Sequence, residues 1–195
     1  MERLANITRD TKETQIQIEL DIDGEGDASI DTGIGFFNHM LEGFTKHGLF
    51  NMNCKVNGDL EVDGHHTVED TGIALGTAIK QALGEKVGIK RFGQAILPMD
   101  DALVLCAIDL GGRPYISFDY EFPTEKVGDM DTELFKEFFQ ALSYSAMMNI
   151  HIRVLNGDNS HHIAEAMFKA LAKALDQATT IDERIKGVPS TKGVL

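Results

Sequence analysis

The pattern of apolar and polar positions along this chain runs through the same series of elements twice. Strand-like segments, in which apolar residues predict one buried face, occupy 15–22 and again 103–110. Apolar residues at helical spacing then occur at 35–44 and at 133–142. The matching order of these four segments indicates an internal duplication.

A second set of matched segments continues the series in each half. Alternating apolar and polar residues at 51–56 and 149–154 predict strands, and both strands run into an Asn-Gly-Asp sequence, a strong turn signal. Helix-like runs follow at 70–79 and 166–175. We therefore predict two α+β halves, each with the order strand–strand–helix–strand–helix.

The repeat also predicts how the chain is divided. Its period is about half of the 195 residues, which is too long for a solenoid. We predict a first half at 1–88, a second half at 89–180 and a C-terminal tail at 181–195.

The last helical run of each half is preceded by the sequence His-His-x-x-Glu, and these two motifs contain four of the seven histidines. The Glu at i+3 and i+4 shares a helix face with the histidines, whereas adjacent histidines diverge by about 100°. We therefore predict that the two histidines of each motif bind different metal ions. Imidazole and carboxylate together suit a divalent metal. The motif residues are His65, His66 and Glu69, and then His161, His162 and Glu165.

The duplication pairs a further histidine, His39, with Glu137 in the second half. His151 is the alternative ligand, but it matches Asn53, and a histidine on a half-buried strand is more often packed or hydrogen-bonded than a ligand. We favour Glu137, which gives eight donors for two ions. Four donors for each ion leave coordination positions open for a substrate, which favours catalysis over a closed structural site.

Composition excludes several classes of function. The net charge of −13 argues against a nucleic-acid surface, although it allows a local basic pocket for a phosphorylated small molecule. No apolar run approaches the ~20 residues that a membrane span needs, and the start of the chain lacks the pattern of a signal peptide. Two cysteines within strand-like segments, Cys54 and Cys106, favour buried free thiols. These features predict a cytoplasmic protein.

The two histidine motifs and two further segments resemble the imidazoleglycerol-phosphate dehydratase family of histidine biosynthesis along almost the full chain; the four segments are 32–41, 62–75, 157–169 and 189–195. The resemblance implies a duplicated α+β fold, each half a four-stranded sheet backed by helices (ribosomal protein S5 domain 2-like). It also implies manganese, two ions per subunit at sites shared between subunits, and a homo-oligomer of 24 subunits in its metal-loaded form.

The family reaction removes water from D-erythro-imidazole-glycerol phosphate to give imidazole-acetol phosphate. The resemblance implies that Glu13 is the catalytic acid and base. It further implies phosphate or substrate binding by seven residues: His47, Arg91, Arg113, Lys169, Ser190, Thr191 and Lys192. The chain departs from the pattern at Glu137, where several members of the family carry histidine.

The donor set by itself leaves two other classes of function open. One is a di-metal phosphoester hydrolase, but no Asp-rich motif is present and histidines dominate the predicted ligands. The other is a non-catalytic metal-storage assembly, which would have no use for a set of phosphate-binding residues. Turnover of imidazole-glycerol phosphate would distinguish the dehydratase from both.

Overall fold

The computed structural model describes residues 3–195, so Met1 and Glu2, with which the predicted first half begins, lie outside it. The chain has the predicted α+β fold, with two four-stranded sheets backed by helices. The first-half elements are β1 (Leu4–Asp10), β2 (Thr14–Asp21), β3 (Ala28–Asp31), α1 (Gly35–Gly48), β4 (Asn51–Gly58) and α2 (His65–Leu83).

The second half repeats this series and adds a short hairpin between its third strand and its first helix. Its elements are β5 (Phe92–Met99), β6 (Ala102–Asp109), β7 (Tyr115–Phe118), β8 (Lys126–Val127), β9 (Met130–Asp131), α3 (Leu134–Ala146), β10 (Asn149–Asn156) and α4 (Ser160–Thr179). The hairpin caps helix α1 of the other half. Asp129, between β8 and β9, accepts hydrogen bonds from the amides of Gly35 and Phe36 at the start of this helix (2.7 and 3.0 Å).

The two large sheets have the same topology. The first is ordered β1-β2-β4-β3 and the second β5-β6-β10-β7, and in each the last-named strand is the only one that pairs in parallel. The order of elements in each half, apart from the hairpin β8–β9, is strand–strand–strand–helix–strand–helix. The expectation of two strands before the first helix was wrong, because β3 and β7 are four-residue edge strands with little apolar alternation.

The four helices lie between the two sheets. Alternate residues of β2 are buried beneath the helices, as its period-2 pattern predicts. Helix α2 packs on β1 and β2 and also against α3, while α4 packs on β5 and β6 and also against α1. Each half therefore presents helices to the other, and the core lies on both sides of this helical layer.

Two glycines set the close approach of α2 to α3. A β-carbon at Gly76 would lie 2.7 Å from the carbonyl oxygen of Leu142, and one at Gly72 would lie 2.8 Å from that of Phe138. Contacts this short exclude any side chain, so the helix backbones touch. This contact determines which side chains share the cleft between α2 and α3.

Both cysteines are free and buried. Burial, with a smaller contribution from Asp31, raises the pKa of the Cys54 thiol to about 12, and burial also raises that of Cys106. Both thiols are therefore poorly reactive in the folded protein. Within residues 3–195, no helix combines the length and apolar character needed to cross a membrane.

Candidate metal and substrate site

Three of the predicted ligands converge where α1 crosses α4, and we call His39, His161 and Glu165 the first cluster. Their ligand atoms all lie within 4.8 Å of one another. Nε2 of His39 is 3.6 Å and Nε2 of His161 is 3.3 Å from the same carboxylate oxygen of Glu165. Phe36 contacts both imidazoles edge-on, with ring centroids 6.3 and 5.0 Å away, and so restrains their orientation.

The carboxylate of the first cluster is buried and faces a cation as well as the two imidazoles. Lys169 Nζ lies 2.6 Å from the second carboxylate oxygen of Glu165, one helical turn further along α4. Partial burial acts to raise the pKa of Glu165, but the hydrogen bond and charge of Lys169 outweigh it, and the pKa is lowered. Glu165 is therefore ionised at neutral pH, as a metal ligand must be.

The residues equivalent to these in the duplication are His65 and Glu69 on α2 and Glu137 on α3, and we call them the second cluster. His65 Nε2 lies 3.7 Å from Glu69 Oε2 across one turn of α2. Glu137, on α3, lines the same cleft of about 240 Å³ as Glu69. The close contact between α2 and α3 thus places the predicted eighth donor in the same cleft as Glu69.

The alternative eighth donor lies elsewhere. His151 is on β10, exposed on the face of the second sheet that points away from the helices, with its ring 5.5 Å from that of Tyr115. In the duplication it takes the position of Asn53 on β4, as the sequence indicates. Within one chain, His151 is on the opposite side of the sheet from the helices that carry the other donors.

His66 and His162, which we call the second histidines, turn away from the two clusters. The rings of His65 and His66 are 6.1 Å apart and nearly perpendicular, and those of His161 and His162 are 6.1 Å apart at 74°. Within one chain, the glutamate of each motif approaches the first histidine of its pair, which lies four residues before it. The divergence predicted from helix geometry is therefore present.

Each second histidine faces carboxylates instead. Asp59 accepts a hydrogen bond from Nδ1 of His66 (2.9 Å), and this bond is the main reason that the pKa of His66 is raised. Asp101 accepts one from Nδ1 of His162 (2.6 Å). The pKa of Asp101 is lowered first by the amide of Asp158, and then by His162 and by the amide of Asn159.

The donor geometry fits a divalent metal. Two atoms that each lie about 2.1 Å from one ion are no more than about 4.2 Å apart, and the His–Glu distances of 3.6, 3.3 and 3.7 Å fall within this limit. The first cluster brings three donors together, and in the second cluster Glu137 shares a cleft with Glu69 of the His65–Glu69 pair. A four-donor site therefore needs one further ligand, and each chain has two second histidines that no cluster uses.

The candidate acid and base, Glu13, lies in the turn between β1 and β2, next to His66. Its Oε1 is 3.8 Å from His66 Nε2, and its side chain is 53% exposed, so a substrate can reach it. The backbone is fixed on both sides, because Asp59 donates its amide proton to the Glu13 carbonyl (3.1 Å) and Glu13 donates its own to Thr11 Oγ1 (3.1 Å). The next residue, Thr14, donates to the buried Asp70 of α2.

The residues expected to bind phosphate fall into two groups. Arg91, Arg113, Ser190, Thr191 and Lys192 line one cleft of about 630 Å³ between the second half and the tail. Arg91 is fixed there by Asp109 (2.7 Å) and by the carbonyl of Pro189 (2.9 Å). The tail therefore contributes to this cleft, which combines arginine, lysine and hydroxyl groups suited to an anion.

Lys169 and His47 form the second group, beside the first cluster. Burial and the charges of Lys169 and Lys173 lower the pKa of His47. Arg91 donates its amide proton to Ala178, nine residues beyond Lys169 on α4, a separation of about 14 Å along a helix. One chain therefore does not bring all seven predicted phosphate residues together.

Two residues of the site, Asp59 and Asp101, were missed by the sequence interpretation. Asp59 belongs to the Asn-Gly-Asp sequence that was interpreted only as a turn, and Asp101 lies in the β5–β6 turn. A signal for Asp101 was available: it directly precedes β6, as Glu13 directly precedes β2, so the duplication makes the two residues equivalent.

The fold and the site define a class of protein: a duplicated α+β chain that carries two matched sets of histidine and carboxylate donors, each placed where a helix of one half meets a helix of the other. The model of the imidazoleglycerol-phosphate dehydratase family matches residues 32–175. Imidazoleglycerol-phosphate dehydratases from Lachnoclostridium phytofermentans and Acetivibrio thermocellus are 63% and 57% identical to the chain, with complete coverage of both chains in each case. The chain belongs to the imidazoleglycerol-phosphate dehydratase family.

Solved structures agree with this assignment. The crystal structure of imidazoleglycerol-phosphate dehydratase from Staphylococcus aureus is 38% identical with a TM-score of 0.83, covering 92% of this chain and 99% of that one. The Pyrococcus furiosus enzyme in complex with (S)-C348 is 40% identical with a TM-score of 0.84, covering 97% and 100%. The activity is therefore that of a hydro-lyase in histidine biosynthesis, which dehydrates imidazole-glycerol phosphate.

Proposed function

We propose that the chain carries out this dehydration at composite sites, each of which combines a three-donor cluster of one copy with a second histidine of a neighbouring copy. One observation carries the proposal: the predicted donors within one chain come in two sets of three, and two further histidines point away from both sets. Pairing these between copies gives four protein donors for each of two ions, and leaves octahedral positions open for the substrate.

We propose Mn²⁺ as the ion, two per subunit. Mixed imidazole and carboxylate donors are compatible with it, and the absence of thiolate ligands argues against softer metals. When bound, the metal holds the substrate in position and stabilises the negative charge that develops during dehydration.

The residues of the chain would supply the proton transfer. Glu13 would take the proton from substrate carbon and return one to the leaving hydroxyl group through its carboxylate oxygens. Its exposure and its fixed backbone support this role, because the group must reach the substrate and also have a defined position.

The phosphate-binding residues support the same arrangement. Arg91, Arg113 and the tail residues Ser190, Thr191 and Lys192 would hold the substrate phosphate, and Lys169 and His47 would approach it from the first cluster. Their separation within one chain supports a site between copies of this chain. We accordingly propose a homo-oligomer, with 24 subunits when metal-loaded, that works in the cytoplasm on a small molecule and binds neither nucleic acid nor membrane.

Substitution of Glu137 tests the composition of the metal centre. Glu137→Ala removes an oxygen donor from the second cluster, so we expect one of the two metals to be lost selectively. Glu137→His retains a donor of the kind present at its counterpart, His39, so both metals and substantial activity should remain. The measurement is metal content per subunit by elemental analysis.

His151→Ala is the matched control, because it removes a histidine from the outward face of the second sheet. It should leave two metals per subunit, with circular dichroism used to verify folding of all three variants. Loss of a metal in His151→Ala together with retention of both in Glu137→Ala would reverse the assignment and make His151 the eighth ligand.

A further inference from the structure

Each second histidine forms a hydrogen bond to a carboxylate at Nδ1, the ring nitrogen on the side away from Nε2, the atom proposed to bind metal. Asp59 accepts the hydrogen bond from His66, and its two carboxylate oxygens lie 3.2 and 2.9 Å from Nδ1. Asp101 accepts the hydrogen bond from His162 Nδ1 at Oδ1, over 2.6 Å. A carboxylate here keeps the proton on Nδ1 and leaves the lone pair of Nε2 free for a metal.

The two carboxylates differ in their other partners. Both oxygens of Asp59 lie within hydrogen-bonding distance of the same imidazole nitrogen. The second oxygen of Asp101 instead accepts from the amides of Asp158 and Asn159 (2.8 and 3.1 Å), at the entry to α4. Each oxygen of Asp101 therefore has its own donor, and the side chain cannot turn over without losing hydrogen bonds.

The duplication relates Asp101 to the candidate acid and base. Asp101 is the counterpart of Glu13, since each directly precedes the second strand of its half. The longer side chain of Glu13 approaches Nε2 of His66 at 3.8 Å, whereas the shorter one of Asp101 reaches Nδ1 of His162. The same repeat position thus faces opposite edges of two equivalent imidazoles.

We propose that Asp101 is a positioning residue that holds His162 in the Nδ1-protonated tautomer, so that Nε2 can bind metal. The acid–base position of the first half has become a ligand-orienting position in the second half. This inference rests on the proposed role of His162 as a metal ligand. It explains why the residue equivalent to Glu13 is not itself a second acid and base, because it is committed to an imidazole and two amides. The carboxylate that lies near Nε2 of His162 is that of Asp100, at 3.5 Å.

Replacement of Asp101 by asparagine should reverse the tautomer. The amides of Asp158 and Asn159 retain the one carboxamide oxygen, so the NH₂ group faces His162 and can only donate. Nδ1 must then accept, and the proton moves to Nε2, as when an amide replaces the carboxylate behind a catalytic histidine. We expect a loss of about 10- to 100-fold in affinity at one of the two metal sites.

Asp59→Asn is the matched control. Both oxygens of Asp59 already lie near His66 Nδ1, so the carboxamide can present its oxygen to the ring and the tautomer should not change. In metal-free protein, ¹⁵N chemical shifts of the imidazole nitrogens report the tautomer, with the His66 and His162 signals assigned by their loss in His66→Gln and His162→Gln. Mn²⁺ titration of the same samples gives the affinities, and circular dichroism verifies folding.

The expected result is Nδ1 protonation of both His66 and His162 in the wild type, an unchanged His66 tautomer in Asp59→Asn, and an Nε2-protonated His162 with weakened Mn²⁺ binding in Asp101→Asn. An unchanged His162 tautomer in Asp101→Asn would overturn the inference, even if the wild type binds two Mn²⁺ ions. A reversed tautomer with undiminished binding of both ions would overturn it as well. If the wild type bound no Mn²⁺, the proposed metal centre would fail, while the tautomer would still report on the orienting role of Asp101.

Discussion

Chelation of divalent metal is expected to abolish dehydration of imidazole-glycerol phosphate, and added Mn²⁺ to restore it. This is the largest effect that we expect, because the substrate must occupy the open positions on the ions. Without the ions, the substrate would meet only partly exposed histidine and carboxylate side chains. The measurement is the rate of product formation before chelation, after chelation and after addition of Mn²⁺.

The control for this experiment is the metal content of the chelated protein. Elemental analysis should show that the rate falls together with bound metal, and Ca²⁺ in place of Mn²⁺ should restore less activity, because it prefers all-oxygen ligands. Full activity in protein verified as metal-free would contradict the proposed metal centre.

Glu13→Gln should reduce kcat by about 10²- to 10⁴-fold, which is the usual contribution of a general acid or base. The substitution preserves the shape of the side chain and the two backbone hydrogen bonds of residue 13. Metal content and substrate binding should therefore remain close to those of the wild type. Steady-state kinetics, together with metal analysis, separate the loss of proton transfer from a loss of structure.

Glu19→Gln is a suitable control for the change of charge, since Glu19 is an exposed carboxylate in the middle of β2 and lies outside both clusters. It should leave kcat unchanged. Near-wild-type kcat in Glu13→Gln would show that the proton is moved by another group.

The duplication accounts for most of the fold that could be predicted from the sequence. The longer strands and all four helices carry clear period-2 or helical patterns, because each buries one face against the central layer. The short edge strands β3 and β7 bury little, so their sequences give no alternation. Edge strands of this kind are determined by pairing with β4 and β10, a contact that no local pattern encodes.

The candidate site was likewise predictable in its local contacts and not in its long-range ones. Helix periodicity predicts that His65 and Glu69 approach each other and that His66 points elsewhere, because these relations are local. The partners of the second histidines come from turns, 7 residues away for Asp59 and 61 for Asp101. Their approach depends on the tertiary structure, so the sequence pattern alone did not identify them.

Co-assembly of two inactive variants tests most directly whether the sites combine residues from different copies. One variant, His161→Ala, lacks a donor of the first cluster, and the other, His66→Ala with His162→Ala, lacks both second histidines. Each should be inactive alone. Co-expression with two different affinity tags and purification through both tags yields mixed oligomers, whose composition native mass spectrometry verifies.

The mixed oligomers should regain dehydration of imidazole-glycerol phosphate, because intact clusters of the double variant meet intact second histidines of His161→Ala. The rate should rise well above that of either variant alone and above that of the two proteins purified separately and then mixed without exchange. Mixed oligomers that remain as inactive as the single variants would contradict metal sites completed between copies.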